Sequence, residues 1–214
     1  VSRLLVGTSG WSYPSWQPGF YPAGIDRSDF LGFYARQFGA VELNATKYRL
    51  PSQAQFESWA GQVPDGFRFA VKAPEQVERR LDVFQERVLA LGDRLGCVRV
   101  VVDRPRDDGF LELLLGSAEP TIRYALDLRH PSWSGVEESL RAVGWARVDD
   151  LADNGGWAYL RFRELAYDGP GLDAVAARVR GAVAAGTEVY AFFRHDGPPA
   201  APRAALRLAA LLSS

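Results

Sequence analysis

Residues Arg123–His130 read RYALDLRH. Apolar Leu126 and Leu128 alternate with charged Asp127 and Arg129, the period of two that marks a β-strand with unlike faces. The same parity recurs in Ala40–Asn44 (AVELN), where Val41 and Leu43 flank Glu42. It recurs in Arg68–Ala73 (RFAVKA), where Phe69 and Val71 oppose Lys72, and in Trp157–Arg163 (WAYLRFR), where Leu160 and Phe162 oppose Tyr159, Arg161 and Arg163. Leu4–Ser9 (LLVGTS), Cys97–Asp103 (CVRVVVD), Trp145–Asp149 (WARVD) and Glu188–His195 (EVYAFFRH) complete eight strands. The last has no clear face, because Tyr190, Phe192 and Phe193 are all apolar.

Helical patterns follow most of these runs. Ser28–Phe38 carries Phe30, Leu31, Tyr34 and Phe38 on one face, with Ser28 as its expected N-cap. Others span Ser52–Gln62, Val83–Leu95, Gly109–Leu115, Gly135–Val143, Leu172–Ala185 (stopped by Gly186) and Pro202–Leu212. Between Asp150 and Trp157 there is only LADNGG, too short for a helix. Strand–helix alternation means a parallel sheet with helices outside it. Eight units favour an α/β fold of the TIM-type (β/α)8 barrel, slightly irregular, with a helix missing between strands six and seven. No dinucleotide-type glycine fingerprint follows the first strand, which lowers the open, doubly wound alternative. No domain boundary shows, so residues 1–214 read as a single barrel domain.

Composition narrows the function classes. Among 214 residues, 47% are hydrophobic and 24% charged, ordinary for a globular protein. The net charge of −1 gives no global field for nucleic acid or an anionic membrane. No apolar run approaches the ~18 residues of a membrane span. One cysteine, Cys97, precludes an internal disulfide, and no signal peptide is visible, so a cytoplasmic location is expected. Lys47 and Lys72 are the only lysines among 25 basic residues, a bias that fits a GC-rich genome. Gly7–Gly10 lacks the Gly-Lys-Ser/Thr ending of a P-loop. Neither His130 nor His195 has metal-ligand spacing, so no cofactor is expected, and only a carboxylate-held Mg2+ stays open.

In barrels of this kind the chemistry sits at the carboxyl ends of the strands. Parity turns Glu42, Asn44, Lys72, Asp127, Arg129, Arg161 and Arg163 into the interior. Such groups are costly there unless they pair with each other, as Glu42 with Lys72 and Asp127 with Arg161, or meet a ligand. Glu42 is the candidate base, Lys72 the candidate electrophile or anion clamp, and Asp127 the third catalytic candidate. Arg129, Arg161, Arg163 and Arg194 suit a phosphate or carboxylate. Ser9, Asn44 and His130 are candidate polar contacts, His130 alternatively fastening its own loop. Trp11, Tyr13, Tyr48 and Trp133, with Trp16, Phe20 and Tyr21, form either a stacking surface or a hydrophobic lid. The set points to an enzyme, a hydrolase or lyase, on an anionic small molecule. The alternative is a binding protein, possibly for single-stranded or damaged nucleic acid, using the same Arg/aromatic cleft. A protein partner is a third reading that nothing specific favours.

Four segments add a resemblance. Gly7–Trp11 (GTSGW) with Tyr13, Trp16 and Phe20–Pro22, then Val41–Ser52 (VELNATKYRLPS), Phe67–Pro74 (FRFAVKAP) and Leu126–Trp133 (LDLRHPSW), resemble the YecE-like family, a domain of unknown function with a TIM-barrel fold. The resemblance spans nearly the whole chain and implies a barrel, but no reaction. Two departures stand out. Glu75–Arg80 (EQVERR) has no histidine after the third-strand lysine, and Arg161–Glu164 (RFRE) stands where an Arg-Leu-His-Gly-like run is common.

Overall fold

The structure, a computed structural model, describes residues 4–44, 50–151, 156–164, 167, 169–195 and 197–213. All eight expected strands are present: β1 (Leu4–Thr8), β2 (Ala40–Leu43), β3 (Arg68–Lys72), β4 (Leu95–Val102), β5 (Tyr124–Leu128), β6 (Ala146–Arg147), β7 (Trp157–Phe162) and β8 (Glu188–Phe193). Between them lie α1 (Phe30–Gln37), α2 (Gln53–Ala60), α3 (Leu81–Leu89), α4 (Asp108–Ser117), α5 (Glu137–Ala142), α6 (Gly169–Ala184) and α7 (Ala200–Ser213). Among the described residues no helix joins β6 to β7. None is long and apolar enough to cross a membrane.

Local chemistry explains the helix ends. The Ser52 hydroxyl accepts from the Gln55 amide at the start of α2, and the Asp107 carboxylate accepts from the Phe110 amide at the start of α4. Gly186 ends α6 at φ +96°, with its own amide bonded to Val183 and that of Thr187 to Ala182, the paired closure a left-handed residue permits. Ser28 does not cap α1. A short 3-10 turn, Arg27–Asp29, comes first, and the residue preceding the helix is Asp29.

The strands pair in parallel, but in two ladders rather than one. β1, β8 and β7 form a three-stranded sheet, and β2 to β6 follow in sequence as a five-stranded sheet. The regular eight-strand ladder expected from the sequence is therefore interrupted, and what stands is an α/β fold of parallel sheets. Each interruption is bridged by a side chain. At the first, Gly7 brings β2 close: a Cβ there would sit 1.9 Å from the Ala40 carbonyl oxygen. The Tyr34 hydroxyl, from α1, accepts from the Thr8 amide (2.8 Å) and reaches the Ala40 carbonyl (3.2 Å). One parallel bridge, Ser9 with Glu42, closes the upper end, where the Gly10 amide donates to the Glu42 carbonyl. At the second, Asp149 adopts φ +68°. Its amide donates to the Tyr159 carbonyl, and its carboxylate accepts from the Arg161 amide (2.7 Å).

Two apolar clusters result. The larger lies between strands and helices and takes Val41, Leu43, Phe69, Val71, Leu126 and Leu160, the residues that parity assigned to the helical side. The smaller draws on all eight strands and on no helix. In it, small Ala40, Ala70, Cys97, Ala125 and Ala146 from the larger sheet accommodate the bulky Trp157, Tyr159, Tyr190 and Phe192 from the smaller one. This settles the face of β8: Tyr190 and Phe192 join the inner cluster, whereas Val189, Ala191 and Phe193 join the outer.

Candidate functional site

Above the inner cluster, toward the carboxyl ends of the strands, the packing turns polar. Glu42 is fully buried, yet every approach to its carboxylate is occupied. Oε1 accepts from the Ser9 hydroxyl (2.5 Å) and the Asn44 amide (3.1 Å) and lies 3.1 Å from Arg161 Nη2. Oε2 accepts from the Tyr159 hydroxyl (2.5 Å) and from Arg99 Nη1 (3.1 Å). Burial alone would push this carboxyl up. The guanidiniums of Arg99 and Arg161, with the hydroxyls of Ser9 and Tyr159, outweigh burial and bring it down to about 2.

Asp127 is held the same way. Arg99 Nη2 donates to it, Arg163 Nη2 lies 3.2 Å away and Arg129 Nη2 3.5 Å. Its carboxyl is lowered too, the burial penalty being overcome by Arg99, Arg163 and Arg129. Arg99 thus joins both carboxylates while only 1% exposed. Burial would lower its own pKa, but Glu42, Tyr159 and Asp127 raise it. Arg161 goes the other way. Burial, together with repulsion from Arg99 and Arg163, lowers its pKa despite Glu42. Nε of Arg99 and of Arg161 are both buried without a hydrogen-bond partner among the described residues.

Beside this network opens a cavity of about 720 Å³, lined among the described residues by Arg129, Arg147, Arg161, Arg163 and Arg194 and by two carboxylates, Asp127 and Asp149. Arg163 also contacts Asp149, Arg129 reaches exposed Asp103 at 3.4 Å, and Arg147 pairs with Glu137. A second cavity of about 460 Å³ lies over the ends of β1 and β2, with Trp11, Tyr13, Trp59, Leu31, Leu43 and Asn44 among its walls.

The expected site residues divide between these features. Ser9, Glu42, Asn44, Asp127, Arg129, Arg161 and Arg163 come together in the network, and Arg194 stands at its opening. The expected pairings differ: Glu42 pairs with Arg99 and Arg161 rather than Lys72, and Asp127 with Arg99, Arg163 and Arg129 rather than Arg161. Lys72 is half-buried at the end of β3, level with Arg99 in the pairing of β3 with β4. His130 is exposed, and its Nδ1 accepts from the Ser132 amide, fastening its own loop. Trp133 has no exposed surface. Its indole donates to the Arg104 carbonyl and packs near Phe110, so it anchors the core and presents no stacking face. Trp16 and Tyr21 are equally buried. Tyr13 stacks on His195 at 3.5 Å, and the Trp16 indole donates to His195 Nδ1. Tyr48 lies outside the described residues. Among those residues, no three His, Cys, Asp or Glu converge as metal ligands would.

Arg99, Tyr159 and Arg147 were not among the expected site residues. Tyr159 had the right parity. Arg99 had a signal as well, as a lone charge inside the apolar run CVRVVV. Asp103, at that run's end, is exposed.

The fold and the network together define a class: α/β proteins of parallel sheets whose strand ends converge on a buried carboxylate–guanidinium cluster. Within that class, the chain belongs to the DUF72 family, described as a protein family of unknown function, whose model matches residues 5–214. It is 30% identical over 149 residues to the UPF0759 protein YecE of Escherichia coli K12, which covers 63% of this chain and 52% of YecE. The chain therefore spans about half the length of the curated relatives it matches. In fold it is similar to a DUF72 family protein from Thermotoga maritima (TM-score 0.86, 24% identity, 99% of this chain and 100% of that one). It is also similar to one from Enterococcus faecalis (TM-score 0.82, 15% identity, 100% and 99%).

Proposed function

We propose that the two sheets act as one slightly irregular (β/α)8-type barrel. We propose further that its carboxyl-terminal mouth binds a phosphate- or carboxylate-bearing small molecule, on which the protein acts as a cytoplasmic enzyme. The inner cluster supports the barrel reading, since it takes side chains from every strand and from no helix. The two side-chain-bridged seams fit that reading.

The observation that carries the anion reading is the lining of the larger cavity, which among the described residues holds five guanidiniums and two carboxylates. Arg161 and Arg147 already hold Glu42 and Glu137, and the arginine forks at the opening match the planar oxygens of a phosphate or carboxylate. Burial above all, with repulsion from Arg99 and Arg163, lowers the pKa of Arg161, which fits a buried cation set to meet an anion. Glu42 then takes a different role from the base that its sequence position suggests. Held ionised by two arginines, it is a poor proton carrier near neutrality and instead positions Arg161. Asp127 does the same for Arg99 and Arg163. The reading invokes no cofactor.

Calorimetric titration with inorganic phosphate at low salt tests this. Saturable binding that weakens at least tenfold in Arg163→Ala/Arg129→Ala is expected. Absence of binding to the unaltered chain at low salt rejects the reading.

A further inference from the structure

The second cavity has a different chemistry from the first. Its walls are mostly carbon: Leu31 from α1, Leu43 from β2, Trp11 after β1 and Trp59 from α2. The two indoles meet edge to face, centroids 5.5 Å apart and planes at 87°. They form a right-angled corner into which a third flat ring can pack against one face and one edge. Its polar lining comes from Ser12, Arg27, Ser28, Asn44 and Gln62.

The two cavities are also neighbours. Asn44 lines the second, and Arg161 lines the first. Asn44 Nδ2 and Arg161 Nη2 contact the same oxygen of the same carboxylate, Glu42 Oε1, each at 3.1 Å. One lining residue of each cavity therefore meets the other's on a single carboxylate oxygen.

We propose that these cavities are two halves of one site and that its ligand joins an uncharged flat ring to an anionic group, the ring seated against Trp11 and Trp59 and the anion among the arginines. This inference rests on the anion-binding reading and narrows its substrate class. It also gives the small, rigid aromatic corner a use beyond packing. A purely aliphatic anion would leave that corner filled with water, which apolar walls disfavour.

The test compares two probes of equal charge, methylphosphonate and phenylphosphonate, by calorimetry on the full chain. Phenylphosphonate is expected to bind about tenfold more tightly, the scale of one well-placed aromatic contact. Trp59→Ala should abolish that difference and leave methylphosphonate binding unchanged. Ser12→Trp, at an exposed position on the cavity wall, should do the same by filling it, and does not depend on the fold tolerating loss of Trp59. Equal affinity for both probes overturns the inference and leaves the anion reading in place. Binding of neither probe removes both.

Discussion

The Arg99 guanidinium meets the Glu42 carboxylate at 3.1 Å, joining side chains 57 positions apart in a region with almost no solvent contact. Because Arg99 also holds Asp127, its removal takes the most buried cationic partner from two carboxylates at once, leaving Arg161 on Glu42 and Arg163 and Arg129 on Asp127. Breaking one side of a buried ion pair typically costs about 3–5 kcal/mol. Arg99→Met is expected to lose at least that much in urea unfolding. A loss within about 0.5 kcal/mol would mean that the carboxylates find other partners or water.

The Glu42 carboxyl sits at about 2 in the folded chain against an ordinary 4.5. A depressed folded value means that the group stabilises the fold above about pH 4.5. That stabilisation drains away as pH falls toward 2, and over the full range it amounts to about 3 kcal/mol. Glu42→Gln should therefore be less stable than the parent at pH 7. Its stability should also fall less steeply between pH 5 and 2, with a residual slope from Asp127, whose carboxyl is shifted the same way. Parallel pH profiles for the two chains would contradict this account.

At the first seam, Tyr34→Phe removes the acceptor for the Thr8 amide and the donor to Ala40. An orphaned buried amide costs about 1–3 kcal/mol. Thermal unfolding should register that loss, and amide exchange at Thr8 should accelerate. Gly7→Ala attacks the same seam sterically, against backbone that cannot rotate away, and should cost about 2 kcal/mol or more. Were Gly7→Ala neutral, β1 and β2 would have to be free to part.

Arg129 offers a contrast. It is 41% exposed, and its contacts to Asp103 and Asp127 are long, at 3.4 and 3.5 Å. Arg129→Ala is expected to leave stability within about 0.5 kcal/mol of the parent. If the mouth binds phosphate, the same change should reduce the stabilisation that saturating phosphate confers, about 2.7 kcal/mol at a hundred times the dissociation constant. Thermal shifts with and without phosphate separate the two effects.

The strands were legible because they sit between unlike neighbours. Leu126 and Leu128 face helices while Asp127 faces the network, so the alternation is written into the residue types. It failed where both faces are apolar, as in Tyr190 and Phe193, which look alike in sequence yet pack into different clusters. The inward arginines of β7 were legible for the same reason as Asp127. Arg99 was harder. β4 runs eight residues from Leu95, and its register with β3 shifts between Phe69 and Ala70. A residue in mid-strand therefore comes level with Lys72 at the end of β3. Such an offset depends on neighbouring strands and has no local signature. Nor do the seams: Tyr34 reads as an apolar-face helix residue and Asp149 as a strand-end charge, and neither type announces that it replaces a ladder bond.

Glu42 accepts contacts from β4, from β7 and from the chain just beyond β1 and β2. The group that organises the mouth is thus also a cross-brace between the sheets. Descendants of such a chain would have little freedom to retool that position, since any new chemistry there would first have to replace a structural tie. Innovation is left to the exposed periphery, to positions such as Arg129 and Arg194, where a residue can be exchanged without loosening the frame.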